Sequence, residues 1–475
     1  MWQETTARRD PASGGDRHRG SVFRAGPVFG FLWGRLLAFS GVLMLLGACA
    51  AFVPGGERWP AIVFVHGNGD NAAVWTTTFW RFESNGWPHD RLFAIDFPYP
   101  YARDDDSVEQ PGRSSTDEQM HWLAAEVERV LARTGTRRVV LIGHSRGGNA
   151  IRNYIENGGG AARVSHVILA ATPNHGIWVG PLMPGSEFNG SGPFLSALNA
   201  PRGERGLEVT DGPKWMTLRS DGNDKYAQPD GAWLGHPGVP TGIDARSPAL
   251  RGARNIVLGP VDHREAGFDP RAFDYMWQFL TGEWPVHTAI VAEPAPVLDG
   301  RIFQPGTNQP LAGVNVQVYE TAPSTGVRLG APVWSATTGA DGRWGPMPAR
   351  PDVPYEFVVS ASGHAVTHIY RSAFPRSSAL VNMRPASLTD AQRGAGAVVE
   401  MTRPRGYFDP QRQRMSLDGA ALPGVPPGVP GVSEVTLTLA PGPARTVVAA
   451  FQDERIAVRT WPAADDELSV AELHY

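Results

Sequence analysis

A serine framed by glycines, Gly143-His144-Ser145-Arg146-Gly147, follows the apolar run Val139-Val140-Leu141-Ile142. After it come residues 148–157, in which Ala150, Ile151, Tyr154 and Ile155 return at helical spacing. A chain that passes from strand to helix within a few residues must strain its backbone at the turn. Small residues two before and two after the serine then keep neighbouring atoms clear of its hydroxyl. The five-residue pattern is weak by itself in a chain with 55 glycines. Its place between a strand pattern and a helix pattern makes it specific, and it presents a serine at the end of a buried strand.

Two further stretches supply what such a serine needs. Upstream, Ala61-Ile62-Val63-Phe64-Val65 runs into His66-Gly67-Asn68-Gly69-Asp70-Asn71. Acyl transfer develops charge on a carbonyl oxygen, and each backbone N–H aimed at that oxygen contributes about 3 to 4 kcal/mol. The candidate donors are the backbone N–H groups of Asn68 and of Arg146, the residue after the serine. Glycines let the backbone come close. His66 is read as a buried histidine that ties this loop to its neighbours. Downstream, Asn255-Ile256-Val257-Leu258-Gly259-Pro260 reads as a strand, followed by Val261-Asp262-His263-Arg264-Glu265. A serine hydroxyl is a weak nucleophile at neutral pH, so an imidazole must take its proton and later return it. Of the 13 histidines, His263 alone lies after the serine, between a strand and a helix pattern. That helix starts with Asp269 as N-cap and Pro270, buries Phe273, Met276, Trp277 and Leu280, and ends near Gly282.

The imidazole needs a carboxylate to hold its tautomer. After the strand pattern Lys214-Trp215-Met216-Thr217-Leu218-Arg219 stand Asp221 and Asp224. Asp224 is favoured, with Asp221 as runner-up. Asp262 adjoins the histidine, but neighbouring side chains on an extended segment point apart. The order serine, aspartate, histidine is that of α/β-hydrolases. The stretches Val65-His66-Gly67-Asn68-Gly69, Leu92-Phe93-Ala94-Ile95-Asp96-Phe97, Gly143-His144-Ser145-Arg146-Gly147-Gly148 and Asn255-Ile256-Val257-Leu258-Gly259, with His263, resemble the bacterial class 2 (Bacillus-type) secreted lipases over about residues 58 to 282. The resemblance implies carboxylic ester hydrolysis through an acyl-enzyme, with no cofactor, on acylglycerols or related lipid esters. The alternatives are an extracellular polyester depolymerase of the polyhydroxyalkanoate kind, a short-chain esterase, or a noncatalytic envelope lipoprotein that binds through a hydrolase scaffold. Two departures from the family are Arg146, where Met is frequent, and a longer stretch between serine and acid.

The expected fold is α/β: a compact α/β-hydrolase domain over residues 50–285 with a mostly parallel six-strand sheet, followed by an all-β sandwich or barrel region. Strands are expected near residues 61, 92, 138, 165, 215 and 254. Ser115 and Glu118 predict a capping box, and Met120, Leu123, Val127, Val130 and Leu131 form one face of its helix. Residues 173–212, rich in Gly and Pro and carrying Trp178, Phe188, Phe194 and Leu195, read as a lid or acyl-binding wall, or as a loop packed on the core.

Beyond Pro285 helical periodicity disappears, and short alternating runs lie between turns. Residues 295–385 resemble carboxypeptidase-regulatory or transthyretin-like β domains, carried by Leu298-Asp299-Gly300-Arg301, Gln309-Pro310-Leu311-Ala312-Gly313 and Gly339-Ala340-Asp341-Gly342. Residues 395–475 hold further strands, as a third domain or as part of the same module. This half carries no catalytic cluster, and it reads as a spacer or as an attachment to lipid, polymer or envelope surface.

At the N-terminus, arginines precede the apolar run 36–46, which ends in Leu46-Gly47-Ala48-Cys49. The run is too short to span a bilayer and has the length of a signal-peptide core. Leu46-Gly47-Ala48-Cys49 resembles the lipobox of bacterial lipoproteins, with Cys49 the lipidated residue. Residues 1–49 are thus expected to be a signal of lipoprotein type, or an ordinary secretory signal, and the protein exported. Cys49 is the single cysteine, so no disulfide joins the mature chain. A net charge of −4 makes no electrostatic case for nucleic acid. No H-E-x-x-H and no cysteine pair is present. His175, Asp230 and His236 could meet in some folds, and no metal is assigned.

Overall fold

A computed structural model describes residues 59–475; the expected signal segment and Cys49 lie outside the described residues. Six strands form one sheet: β1 (Ile62–Val65), β2 (Leu92–Ile95), β3 (Val139–His144), β4 (Val164–Ala170), β5 (Lys214–Arg219) and β6 (Arg254–Val257). Their order is β2-β1-β3-β4-β5-β6, and every neighbouring pair is parallel. Parallel strands covered on both faces read as unbroken apolar runs, and β3 is buried at every position.

Helices cover both faces. On one face α2 (Thr116–Thr134) and α3 (Arg146–Asn157) pack Leu123, Val127, Ile151 and Tyr154 against Val63, Val65 and Leu141. On the other, α1 (Thr76–Ser84) and α4 (Pro270–Thr281) pack Phe79, Phe82, Phe273 and Met276 against Ile62, Phe64 and Ile142. Strand alternation thus sends odd and even residues of β1 into different cores. The helix ends follow their capping residues. Ser115 Oγ accepts the Glu118 N–H at 3.2 Å while Glu118 accepts the Ser115 N–H at 2.7 Å. Asp269 caps α4 through the Arg271 N–H, and Gly282 ends it at φ 86°.

The chain reverses direction across the sheet at β1, because β2 lies on one side and β3 on the other. Loops leaving the carboxyl ends of β1 and β3 therefore diverge and open a crevice, the position where open α/β sheets bind ligands. Both the 66–71 loop and Ser145 lie there.

In the C-terminal region a seven-strand sheet runs in the order Trp334–Thr337, Asn315–Glu320, Tyr355–Ser360, Val366–Arg371, Glu467–Glu472, Ala397–Thr402, Glu434–Leu439. Its last strand in sequence is inserted, parallel to both neighbours, between Val366–Arg371 and Ala397–Thr402. Strands from 295–385 and from 395–475 thus share one sheet. A three-strand sheet of Met415–Leu417, Thr446–Phe451 and Glu454–Arg459 adds Leu417, Val447 and Phe451 to a core with Val399 and Met401. The two halves also share apolar surface. Trp80 of α1 is fully buried among Leu298, Val316 and Phe357, and its Nε1–H donates to the Ser377 carbonyl at 2.9 Å. Among the described residues, no helix is long and apolar enough to cross a membrane.

Candidate active site

Ser145 sits between β3 and α3 with φ 53° and ψ −125°, a conformation that costs free energy for any residue with a Cβ. The turn is held by the Ser145 N–H on the Ala170 carbonyl and the Gly148 N–H on the Ser145 carbonyl, both at 2.9 Å. Its glycines are required by space. A Cβ on Gly147 would lie 2.4 Å from the His66 carbonyl oxygen, and one on Gly143 would lie 2.6 Å from Ile151 Cδ1 and 2.8 Å from the Gly148 nitrogen.

His263 follows β6 and stands over this turn. Its Nε2 is 2.9 Å from Ser145 Oγ, and its Nδ1 is 2.8 Å and 2.9 Å from the two Asp224 oxygens. All three side chains are buried. Asp221 is exposed, so the loop after β5 turns Asp224 inward and Asp221 outward. Burial pushes the Asp224 carboxyl up, but the charge and hydrogen bond of His263, with the Tyr226 N–H at 2.8 Å, outweigh it and hold it below the usual carboxylate range. Tyr226 meets the His263 ring edge to face, centroids 4.7 Å apart. His144, which the sequence did not single out, donates its Nε2–H to the His263 carbonyl at 2.9 Å. Burial first, and then the charge of His263, lower its pKa to about 3, so it stays a neutral donor.

The loop after β1 reaches the same crevice. Arg146 opens α3, so its N–H is among those at a helix start that have no intrahelical acceptor. Asn68 lines the cavity beside Ser145, and its Oδ1 accepts the Ala102 N–H at 2.8 Å. His66 is buried; its Nδ1–H donates to the Gly67 carbonyl at 2.8 Å and its Nε2 accepts the Phe97 N–H at 3.1 Å.

The Arg146 side chain has its own structural task. It is buried and pairs with the buried Glu187 of the 173–212 segment, and it also donates to the Pro100 carbonyl at 3.1 Å and the Ser114 carbonyl at 2.6 Å. Burial raises the Glu187 pKa although Arg146 opposes the shift. Arg152, one helical stretch on, donates to the Asn174 and Leu198 carbonyls at 3.1 Å and to Asn199 Oδ1 at 2.7 Å. Two buried arginines of α3 therefore fasten the segment that overhangs the serine. A cavity of about 190 Å³ is lined by Ser145, His263 and Asn68 and walled by Pro173, Ile177, Phe188, Tyr226 and Tyr407. Larger hollows of about 270 and 340 Å³ lie between the halves, but neither is lined by Ser145 or His263.

Several residues at this site have partners that carried no sequence signal. Asp262 is fully buried, and it faces not the serine but the C-terminal region, accepting from the Tyr407 N–H at 2.7 Å and Arg403 Nη1 at 3.3 Å. Arg264 pairs with Asp70 at 3.0 Å. The stretch Val261-Asp262-His263-Arg264-Glu265 is visibly charged, but nothing local says that its partners lie far along the chain. His175 is 3.2 Å from Glu208, while Asp230 and His236 are exposed. Among the described residues, no group of three or more His, Cys, Asp or Glu could hold a metal ion.

A parallel sheet with a strained serine after β3 and a histidine after β6 defines an α/β-hydrolase domain. Residues 60–190 match the family described as alpha/beta hydrolase fold, and residues 296–388 match the lipase C-terminal domain. The chain is 28% identical over 142 residues to a non-heme haloperoxidase of Rhodococcus erythropolis, covering 28% of this chain and 49% of that protein. It is 26% identical over 163 residues to a non-heme chloroperoxidase of Streptomyces lividans, covering 33% and 56%. The chain thus spans about half the length of the curated relatives it matches. Similar solved structures include the mature lipase BlEst2 of Bacillus licheniformis, at 19% identity, TM-score 0.34, and 47% and 93% coverage. Lipase B of Aspergillus fumigatus is another, at 14% identity, TM-score 0.33, and 50% and 56% coverage.

Proposed function

We propose that this protein is an exported serine hydrolase of carboxylic esters, related to lipases but acting on short and medium acyl chains, that works through an acyl-enzyme. One observation carries the proposal: Ser145 Oγ, the His263 imidazole and the Asp224 carboxylate form an unbroken hydrogen-bonded relay, with 2.9 Å on the serine side and 2.8 Å on the acid side. Ser145 Oγ attacks the ester carbonyl carbon while His263 Nε2 takes its proton, and Asp224 stabilises the imidazolium that forms. The carbonyl oxygen becomes an oxyanion facing the Asn68 and Arg146 N–H groups. The imidazolium then protonates the leaving alkoxide, and an ester of Ser145 remains. Water, deprotonated by the same imidazole, attacks that ester, and the acid departs as Ser145 regains its proton. No step calls for a cofactor.

The wall of Pro173, Ile177 and Phe188 suits an acyl chain, and the ties from Arg146 and Arg152 favour residues 173–212 as a fixed acyl-binding wall. A cavity of about 190 Å³ favours short or medium acyl groups, which supports the short-chain esterase reading on chain length while leaving the chemistry unchanged. A noncatalytic scaffold has no use for an intact relay. Export would follow from residues 1–49, through lipidation at Cys49 or cleavage nearby.

The test is hydrolysis of p-nitrophenyl esters from acetate to palmitate by the purified protein beside Ser145→Ala. Turnover that the variant lacks, strongest at short and medium chains and without a jump at the solubility limit, is expected. Equal rates in the two proteins would remove the hydrolase reading, and a jump at the solubility limit would make 173–212 a mobile lid.

A further inference from the structure

We infer that the C-terminal region completes the active site, with Tyr407 clasping the loop that carries Asp224 to the loop that carries His263. Tyr407 is then a positioning residue for the ester hydrolysis proposed above, on which this inference rests. Its contacts fall on the sequence neighbours of both relay residues. Asp262, immediately before His263, takes the Tyr407 N–H at 2.7 Å, from 145 positions away in the chain. Arg264, immediately after His263, places its guanidinium 5.0 Å from the centre of the Tyr407 ring. Lys225, immediately after Asp224, places its ammonium 4.1 Å from the same centre. An aromatic face attracts cations through its quadrupole, so one buried ring holds a cation from each loop.

The clasp is itself braced. Asp262 Oδ1 accepts the Arg264 and Glu265 N–H groups, both at 2.8 Å, which shapes the turn that carries His263. Its Oδ2 also takes Arg403 Nη1, and Arg403 Nη2 reaches Glu265 at 2.9 Å. Arg403 further donates to the Tyr407 carbonyl. Replacing the Tyr407 side chain keeps the backbone bond to Asp262 but takes from the acid loop and the histidine loop the aromatic face that Lys225 and Arg264 share. An imidazole must aim one nitrogen at a carboxylate and the other at Oγ, and a misplacement of about 1 Å can cost about 100-fold in rate.

Tyr407 also lines the cavity, so a wall that only touches substrate must be separated from a clasp. The acyl group of p-nitrophenyl acetate is too short to need the wall, whereas octanoate does. The experiment is steady-state hydrolysis of both esters by the full chain and by Tyr407→Leu, Tyr407→Phe and Lys225→Met, with Ser145→Ala as blank and thermal unfolding as the check on folding. Tyr407→Leu is expected to lower kcat on acetate by about 10- to 100-fold with KM nearly unchanged. Tyr407→Phe, which keeps the ring, restores kcat. Lys225→Met lowers kcat by a smaller factor, and the double variant Lys225→Met/Tyr407→Leu falls no further than Tyr407→Leu alone. A Tyr407→Leu protein with full kcat on acetate and a raised KM on octanoate would overturn the clasp and leave only a wall. If Tyr407→Leu does not fold, full kcat on acetate in Lys225→Met overturns it equally. A wild type no faster than Ser145→Ala would instead overturn the hydrolase itself, a different failure visible before any clasp variant is compared.

Discussion

The serine turn and the histidine loop meet across one hydrogen bond of 2.9 Å, yet they are built in opposite ways. Ser145 is held by its own neighbours: two glycines, the start of α3, and the adjoining strands β1 and β4. His263 is held by His144 behind it and, through Asp262 and Glu265, by arginines of the C-terminal region. The contrast teaches that a strained serine turn can be encoded within five residues, whereas a histidine that must aim both ring nitrogens draws support from distant chain.

That difference can be broken from either side. The largest effect is expected for Ser145→Ala, which should lower kcat by about 10⁴-fold or more with the fold intact, as read by ester hydrolysis and thermal unfolding. Asp224→Asn should follow at about 10³- to 10⁴-fold, while Asp221→Asn stays near wild type; the reverse pattern would assign the acid to Asp221. On the local side, Gly147→Ala forces a Cβ against the His66 carbonyl and should cost about 1 to 3 kcal/mol of stability. Denaturant unfolding measures that loss, and activity should fall with it because the turn itself must move. On the distant side, Arg403→Met leaves buried Asp262 and Glu265 short of their cation, a loss of about 3 to 5 kcal/mol for a broken buried pair. Its catalytic effect should be smaller than that of Asp224→Asn. Unchanged stability would mean that Arg412 and Gln413 suffice to hold the loop.

The smallest effect is confined to the C-terminal sheet. Burial, and then the charge of Glu434, raise the pKa of Glu400 from 4.5 to about 7. A carboxyl whose folded-state pKa lies above its unfolded value binds its proton more tightly when folded. Its contribution is therefore fully present below the unfolded value and is lost as pH rises toward the folded one. Glu400→Gln should raise the unfolding temperature at pH 8 relative to wild type, not at pH 4, with hydrolysis unaffected. An equal gain at both pH values would trace the effect to packing.

Much of the hydrolase half is legible because its signals are local. The capping box of Ser115 and Glu118, the Asp269-Pro270 start of α4 and the apolar run of β3 each lie within a few residues, where backbone geometry and periodicity act. The six-strand sheet follows from them. The C-terminal half is less legible. Its short alternating runs mark strands but not partners, and insertion of Glu467–Glu472 between Val366–Arg371 and Ala397–Thr402 depends on which faces must be buried together. Arg146 shows the same limit within a motif, since its backbone place is read from the turn but its buried partner Glu187 is not.

By itself, the sequence determined the strand-turn-helix at Ser145, the order of serine, aspartates and histidine along the chain, and the change from an α/β to an all-β half. These rest on sterics and periodicity that act within a turn or a strand. Only the tertiary structure decided that Asp224 faces His263 while Asp221 faces solvent, and that Asp262 and Tyr407 join the two halves beside the site. Such choices turn on burial: a carboxylate enters the interior only where a partner meets it, and here those partners come from chain that is remote in sequence and adjacent only after folding.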